Sequence, residues 1–363
     1  MRNTKEKDLI NEAGELSTQI IGGIILANIF FCLILATSLN QLWIMINGLQ
    51  IATHLPLLNV KFPANANLFT YVYLLIAKMD FVPDSFLQGY LVFPESEAYS
   101  LEFATNGYAS QYAVENISTA FVLLQSYLLL CLLTAFLYCC QWLSPNFKIL
   151  YVKVRQFTFW AAILRFLMEF YLEIGLAVSV GVQKMNWNVH TLPVYYSNVF
   201  TYLFVALLLI LPFFVFMFYS AYAGKMNQTA FYQKWGNLYD GLTLDKKFEN
   251  RVKVLFYPVL FILRRQAFIA LAIFLQKYLA LQLVGAMLTS LGMIYYVQLC
   301  RPFANNFLNS LETFNEITTM LLLYTIVCFT DNVQDAEIKY MIGWVYIGIT
   351  GFNVVVHILL LLK

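Results

Sequence analysis

Two groups of charged residues stand inside apolar runs, where charge is costly and therefore informative. Arg165, Glu169 and Glu173 follow one another at i, i+4 and i+8 in an otherwise hydrophobic stretch. At about 100° per residue this spacing puts all three within about 80° on one helix face, forming a polar stripe. Arg264 and Arg265 lie side by side in the middle of a second apolar run. Neighbouring residues diverge on a helix, so the two guanidinia need different acceptors, one of them on a second partner or in a water-filled cavity. Two chemistries fit. The five charges form a buried network that fixes helix packing, or they line an ion path or gate, with proton coupling as a variant.

Glu312 and Glu316 repeat the i, i+4 spacing after Arg301-Pro302-Phe303. An Arg-Pro pair at a helix end reads as a sharp exit from the bilayer. Ala304 to Leu311 is then a short interfacial connector, with the two carboxylates at the cytoplasmic entrance of the next span. Asn116-Ile117-Ser118 is an N-glycosylation sequon in an acidic loop. A second, Asn227-Gln228-Thr229, lies in the most basic loop and should stay bare. Enzymatic patterns are missing: His54, His190 and His357 are scattered, and HExxH, GxSxG and GxxxxGK do not occur. No catalytic activity, cofactor or metal site is expected, and each histidine reads as a packed or interfacial residue.

The elements that must position these charges follow from composition. Of 363 residues, 61% are hydrophobic and 12% charged, against about a quarter charged in an average soluble domain. That excludes a soluble globule, and the bilayer must supply much of the solvent. The formal net charge of +2 gives no sign of a nucleic-acid partner. Cys32, Cys131, Cys139, Cys140, Cys300 and Cys328 all lie in or at the ends of apolar runs, so neither a disulfide framework nor a zinc knuckle is present. Cys139, Cys140 and Cys300 are near cytosolic span ends, where S-palmitoylation occurs, but small buried hydrophobes are the simpler reading.

Apolar windows predict eight strong spans at 17–38, 119–141, 156–182, 197–221, 254–276, 279–299, 314–330 and 340–362. Between the first two lies a weaker region, 42–82, interrupted by Asn47, Gln50, His54, Pro56, Lys61 and Pro63. It reads as interfacial, re-entrant or a ninth crossing. The expected fold is an all-α, polytopic transmembrane helical bundle of eight or nine spans. Residues 1–16 form a short polar N-terminus and 17–363 a single domain. One set of loops carries Lys148, Lys153, Arg155, Lys225, Lys234, Lys246, Lys247, Arg251, Lys253, Arg301 and Lys363; the alternate set carries Lys184, Lys277 and Lys339. Basic residues collect in cytoplasmic loops, which places the C-terminus in the cytosol of a plasma-membrane or endomembrane protein. The loop 81–118 holds Asp84, Glu95, Glu97, Glu102 and Glu115 and reads as external.

The weak region also carries a distinctive run: Asn40-Gln41-Leu42-Trp43, Ile46-Asn47-Gly48-Leu49-Gln50, His54-Leu55-Pro56-Leu57 and Asn59-Val60-Lys61-Phe62-Pro63-Ala64-Asn65. With Gly236-Asn237-Leu238-Tyr239, Tyr257-Pro258, Arg264-Arg265, Arg301-Pro302-Phe303 and Leu311-Glu312-Thr313-Phe314-Asn315-Glu316, it resembles the C-terminal membrane domain of large ciliate-type protist surface proteins. That domain is similar in turn to the fungal TRP-like, flavin-carrier-related membrane family. The resemblance implies a multispan domain of TRP-channel-like arrangement with a cation pathway, and an external N-terminus following a cysteine-rich ectodomain. This sequence departs from the last feature, with residues 1–16 before the first span.

The functional expectation is a TRP-like channel or transporter for cations, with the lipid bilayer as partner and a homo-oligomer as a compatible assembly. Glu169 and Glu173 are then cation-attracting carboxylates, Arg165, Arg264 and Arg265 their counter-charges, and Glu312 and Glu316 a cytoplasmic vestibule. Arg301, Pro302 and Asn315 complete the family pattern. The alternatives are a non-conducting anchor or scaffold, and a flavin or lipid transporter.

Overall fold

The computed structural model describes residues 39–77, 87, 89–185, 191–239, 241–244 and 248–361. The first expected span, 17–38, lies outside them. Among the described residues the chain is all-helical, with one isolated antiparallel bridge between Leu242 and Phe303. The α-helices are α1 (Leu39–His54), α2 (Ala64–Ala77), α3 (Leu101–Thr105), α4 (Ala113–Asn116), α5 (Ser118–Cys140), α6 (Pro145–Gln156), α7 (Ile163–Glu169), α8 (Tyr171–Lys184) and α9 (Leu192–Tyr222). They continue with α10 (Thr229–Trp235), α11 (Phe248–Leu255), α12 (Tyr257–Phe274), α13 (Leu279–Cys300), α14 (Asn306–Phe329) and α15 (Ala336–Leu361).

Among the described residues, five stretches are long and apolar enough to cross a membrane by length and composition: Ser118–Cys140, Leu192–Tyr222, Asn250–Phe274, Leu279–Cys300 and Ala336–Leu360. Side-chain placement agrees with them. Leu129, Leu132 and Phe136 of α5, Leu203, Phe213 and Met217 of α9, and Leu288 and Leu299 of α13 are exposed, whereas Gln50, His54, Glu173, Arg265, Gln282 and Glu316 are buried. Water would reverse that arrangement; a hydrocarbon solvent favours it. The chain has the pattern of a helical membrane protein.

Two expected spans differ from the structure, and the weak region takes a definite form. The segment 156–182 is not one helix: α6 runs into a π-helical turn at Phe157–Ala162, then α7, and breaks at Phe170 before α8. The bonds Phe170 N→Phe166 O (3.0 Å) and Ile174 N→Phe170 O (2.9 Å) cross the break, so the axis bends without separating. The span 314–330 begins earlier, at Asn306, absorbing most of the expected connector into α14. Asn305 caps it by accepting from Phe307 N at 2.9 Å. This helix is polar, burying Asn309, Glu312, Thr313, Asn315, Glu316, Thr318 and Thr319, and it is absent from the five apolar stretches. The weak region forms two helices, α1 and α2, joined by a 3₁₀ turn at Leu55–Leu57 and an extended link.

Pro212 explains one junction. Inside α9 it has no N–H to offer the Leu208 carbonyl four residues back. That carbonyl accepts instead from Tyr171 Oη and from Gln266 Nε2, both at 2.8 Å. A missing helix bond thus ties α9 to α8 and α12. Around these three helices, α1 packs against α2, α14 and α15, and α13 lies between α12 and α14. Gln282 closes the same bundle at one end, accepting from Asn59 N at 3.1 Å and donating to Leu271 O at 2.9 Å.

The Arg301-Pro302-Phe303 run ends α13 as its composition requires. Arg301 is left-handed at φ 41°, the conformation that terminates a helix, and its N–H reaches Val297 O. Thr243 N donates to Pro302 O at 2.8 Å and Ala304 N to Gly241 O at 2.9 Å, pinning the basic loop to this turn. Asn309 closes it, accepting from Phe303 N at 3.0 Å and donating to Phe303 O at 2.9 Å.

Candidate functional site: a buried charge centre

Arg264 and Arg265 diverge, as adjacent helical residues must. Arg264 forms an ion pair with Glu316 of α14 and donates to Ser290 Oγ of α13 at 3.1 Å. Arg265, 2% exposed, turns to α1 and donates to Asn47 Oδ1 at 2.9 Å and Gln50 Oε1 at 3.2 Å. Its guanidinium carbon stands 3.5 Å from the Phe261 ring centroid, a cation–π contact strengthened by burial. Gln50 donates in turn to the Glu169 main-chain carbonyl at 3.0 Å, and the charges of Glu169 and Arg265 act on each other.

Glu312 and Glu316 occupy different surroundings from the expected vestibule. They are 7% and 2% exposed. Tyr257 Oη donates to Glu312 Oε1 at 2.8 Å, and Arg264 holds Glu316. Their i, i+4 spacing turns both toward α12, because α14 starts before them and not after.

Asn315, between the two carboxylates in sequence, is a hub. Its Nδ2 donates to Ile44 O at 3.1 Å, while its Oδ1 accepts from Asn353 Nδ2 at 3.1 Å and His357 Nε2 at 2.7 Å. Asn353 also donates to Thr318 Oγ1 at 3.2 Å. A Cβ on Gly48 would stand 3.0 Å from Asn315 Nδ2, so glycine permits α1 to approach α14 this closely.

Between these groups lies a cavity of about 10 Å³, room for one water molecule. Asn47, Gly48, Arg264, Arg265, Glu312 and Glu316 are among its lining residues. Glu316 Oε2 and Arg265 Nε are buried with no hydrogen-bond partner among the described residues. The cavity is of water size, too small for a hydrated cation.

The expected stripe divides. Glu169 belongs to this centre. Glu173, beyond the break at Phe170, joins His54 and Tyr108: Tyr108 Oη donates to Glu173 Oε2 at 2.7 Å, His54 Nε2 is 3.0 Å from Tyr108 Oη and 3.1 Å from Glu173 Oε1. The side chain of Arg165 lies outside the described residues. Sequence reasoning missed Asn47, Gln50, His54, Tyr108, Asn353 and His357 as participants. Polar residues at positions interrupting an apolar run were the signal in α1 and α15; Tyr108 gave none.

Asn116, the sequon residue, is half-buried and braces a loop. Its Oδ1 accepts from Ser110 N at 3.1 Å, its Nδ2 donates to Ser110 O at 2.7 Å, and Ile117 and Ser118 are buried. The amide thus uses its oxygen and one of its two N–H hydrogens to hold the loop before α4. Among the described residues no group of three or more His, Cys, Asp or Glu is placed to hold a metal. Comparison of the chain with protein-family models, with curated proteins and with solved structures finds no match.

Proposed function

We propose that this chain is a TRP-like membrane domain of eight or nine spans that moves cations, with its C-terminus in the cytosol and α1 central to the route. One observation carries the reading: Arg264 and Arg265 of α12 and Glu312 and Glu316 of α14 line one small cavity inside the bundle, with Arg264 paired to Glu316 and Glu312 held by Tyr257. Ionisable side chains gathered out of water at one place inside a membrane bundle favour an ion or proton route over packing alone. The one-water cavity supports a closed state, in which separation of α1 from α14 is needed before an ion passes.

The test is flux. Purified protein in liposomes should carry sodium, potassium or calcium above protein-free vesicles under an imposed potential, and Glu316→Gln should alter the rate or the selectivity. Wild-type protein that is monodisperse and passes no cation under any voltage or stretch favours the scaffold reading instead. The closed geometry of the Arg264–Glu316 pair is what that reading rests on.

A further inference from the structure

His54, Tyr108 and Glu173 form a chain of titratable groups that the charge centre does not use. They come from three places: the last residue of α1, the segment after α3, and the first turn of α8. His54 and Tyr108 are fully buried and Glu173 is 3% exposed. Tyr108 also packs its ring edge-on to Phe103, with centroids 6.0 Å apart.

The hydrogen count of this chain is constrained by geometry. His54 Nδ1 contacts the Gln50 main-chain carbonyl. A carbonyl only accepts, so Nδ1 carries a hydrogen. Two hydrogen-bonded contacts remain, Nε2 to Tyr108 Oη at 3.0 Å and Tyr108 Oη to Glu173 Oε2 at 2.7 Å, beside a charge contact of Nε2 with Glu173 Oε1 at 3.1 Å that lacks hydrogen-bond geometry. Each requires one hydrogen to be a bond, and the phenol supplies one. The second must come from the imidazole or from the carboxylic acid. Removing it leaves two acceptors facing across a buried gap, which costs the desolvation of both groups.

We propose that His54, Tyr108 and Glu173 form a proton-binding site holding one mobile proton, relayed between imidazole and carboxylate through the phenol. In one isomer an imidazolium donates from Nε2 to Tyr108 Oη, and Tyr108 donates to an ionised Glu173. In the other, Glu173 is protonated and donates to Tyr108 Oη, while Tyr108 donates to a neutral imidazole. The isomers interconvert when the phenol proton moves to Glu173 Oε2 as the Nε2 proton moves to the phenol oxygen. Two O–H or N–H bonds break and two form, no electron leaves the chain, and the summed charge of the three groups is zero in both. The ligand of this site is the proton itself. Gln50 joins it to the charge centre, since its main-chain carbonyl holds His54 while its side chain holds Arg265 and Glu169.

The test needs no transport assay, so it stands or falls independently of cation flux. Solid-state NMR of the full chain in lipid, with ¹⁵N-labelled histidine, reads only three imidazoles, and His54→Gln assigns the pair of interest. Infrared spectroscopy in light and heavy water reads the Glu173 carboxylic-acid band, assigned by Glu173→Gln. The expected result is that the protonated fraction of His54 Nε2 and the protonated fraction of Glu173 add to one proton. Tyr108→Phe keeps the ring and removes the bridge, and should move the Nε2 resonance to a single limiting position. Glu173→Gln should move it to the unprotonated limit, giving a second variant should the first fail to fold. Both signals absent in wild type, both fully present, or an Nε2 resonance unmoved by either folded variant overturns the relay.

Discussion

The Arg265 guanidinium lies over the ring of Phe261, one helical turn earlier, with 3.5 Å between guanidinium carbon and ring centroid. The stacking leaves the guanidinium edge free to reach Asn47 and Gln50 on α1. A planar cation does both at once; a point-like ammonium does not. Arg265→Lys should therefore destabilise the domain by about 1–3 kcal/mol, the cost of under-satisfied buried acceptors. Phe261→Leu should cost less, because the hydrogen bonds survive. Thermal unfolding in lipid nanodiscs followed by tryptophan fluorescence checks the ordering, and a milder effect from Arg265→Lys than from Phe261→Leu contradicts it.

The Arg264–Glu316 pair lends itself to a double-mutant cycle. Replacing one member by methionine strands a buried charge, at about 3–5 kcal/mol, whereas replacing both removes the penalty along with the attraction. Glu316→Met and Arg264→Met should each lower the midpoint more than the double variant does. Additive losses would show that the two groups do not interact in the folded protein.

At the end of α13, Arg301 holds a left-handed backbone that glycine adopts without strain. Arg301→Gly should leave stability unchanged or raise it by up to about 1 kcal/mol, and Arg301→Val should lower it. If Arg301→Gly is markedly destabilising, the exposed guanidinium has a role that the turn does not reveal.

Much of the fold was legible because five of the described stretches are apolar over the length of a membrane crossing, so length and hydropathy alone delimit Ser118–Cys140 and its four counterparts. The rest was hidden for a common reason. Helices buried inside a bundle need not be apolar, because their partners are other helices. Thus α14 buries Asn309, Glu312, Asn315 and Glu316 and begins eight residues before the expected start of its span. A window average likewise demotes α1, whose Asn47, Gln50 and His54 each have a partner. The stripe Arg165, Glu169 and Glu173 was read with a straight-helix period. The bend at Phe170 intervenes, and Glu173 meets His54 and Tyr108. Tyr108 was illegible, since nothing in its local sequence announces that a loop segment will dock between α1 and α8.

Asn116 gives a prediction about covalent state. Because one of its amide hydrogens is held by Ser110 O and the other two sequon residues, Ile117 and Ser118, are buried, the folded protein expressed in a secretory-pathway host should show no mobility change on glycosidase treatment. Asn116→Ala should lower the thermal midpoint, by about 1–2 kcal/mol for two lost loop-closing bonds. A glycan found on Asn116 would mean that this loop folds differently in the cell.

The closeness of α1 to α14 at Gly48 separates a route that opens from a packing network that does not. A Cβ there meets Asn315 Nδ2 at 3.0 Å, so Gly48→Ala asks the two helices to part by a few tenths of an ångström. In a rigid scaffold that is overpacking, costing about 1–3 kcal/mol with no other consequence. In a domain whose closed state needs this contact, the same strain falls on the closed state alone and shifts the population toward the open one by the difference in strain. A difference of about 1.4 kcal/mol is a tenfold change in the open-to-closed ratio. Gly48→Ala should then raise cation flux in proteoliposomes while lowering thermal stability, and Asn315→Ala, which relieves the contact, should suppress the gain when combined with it. Lowered stability with flux unchanged from wild type would remove the Gly48–Asn315 contact from the gate.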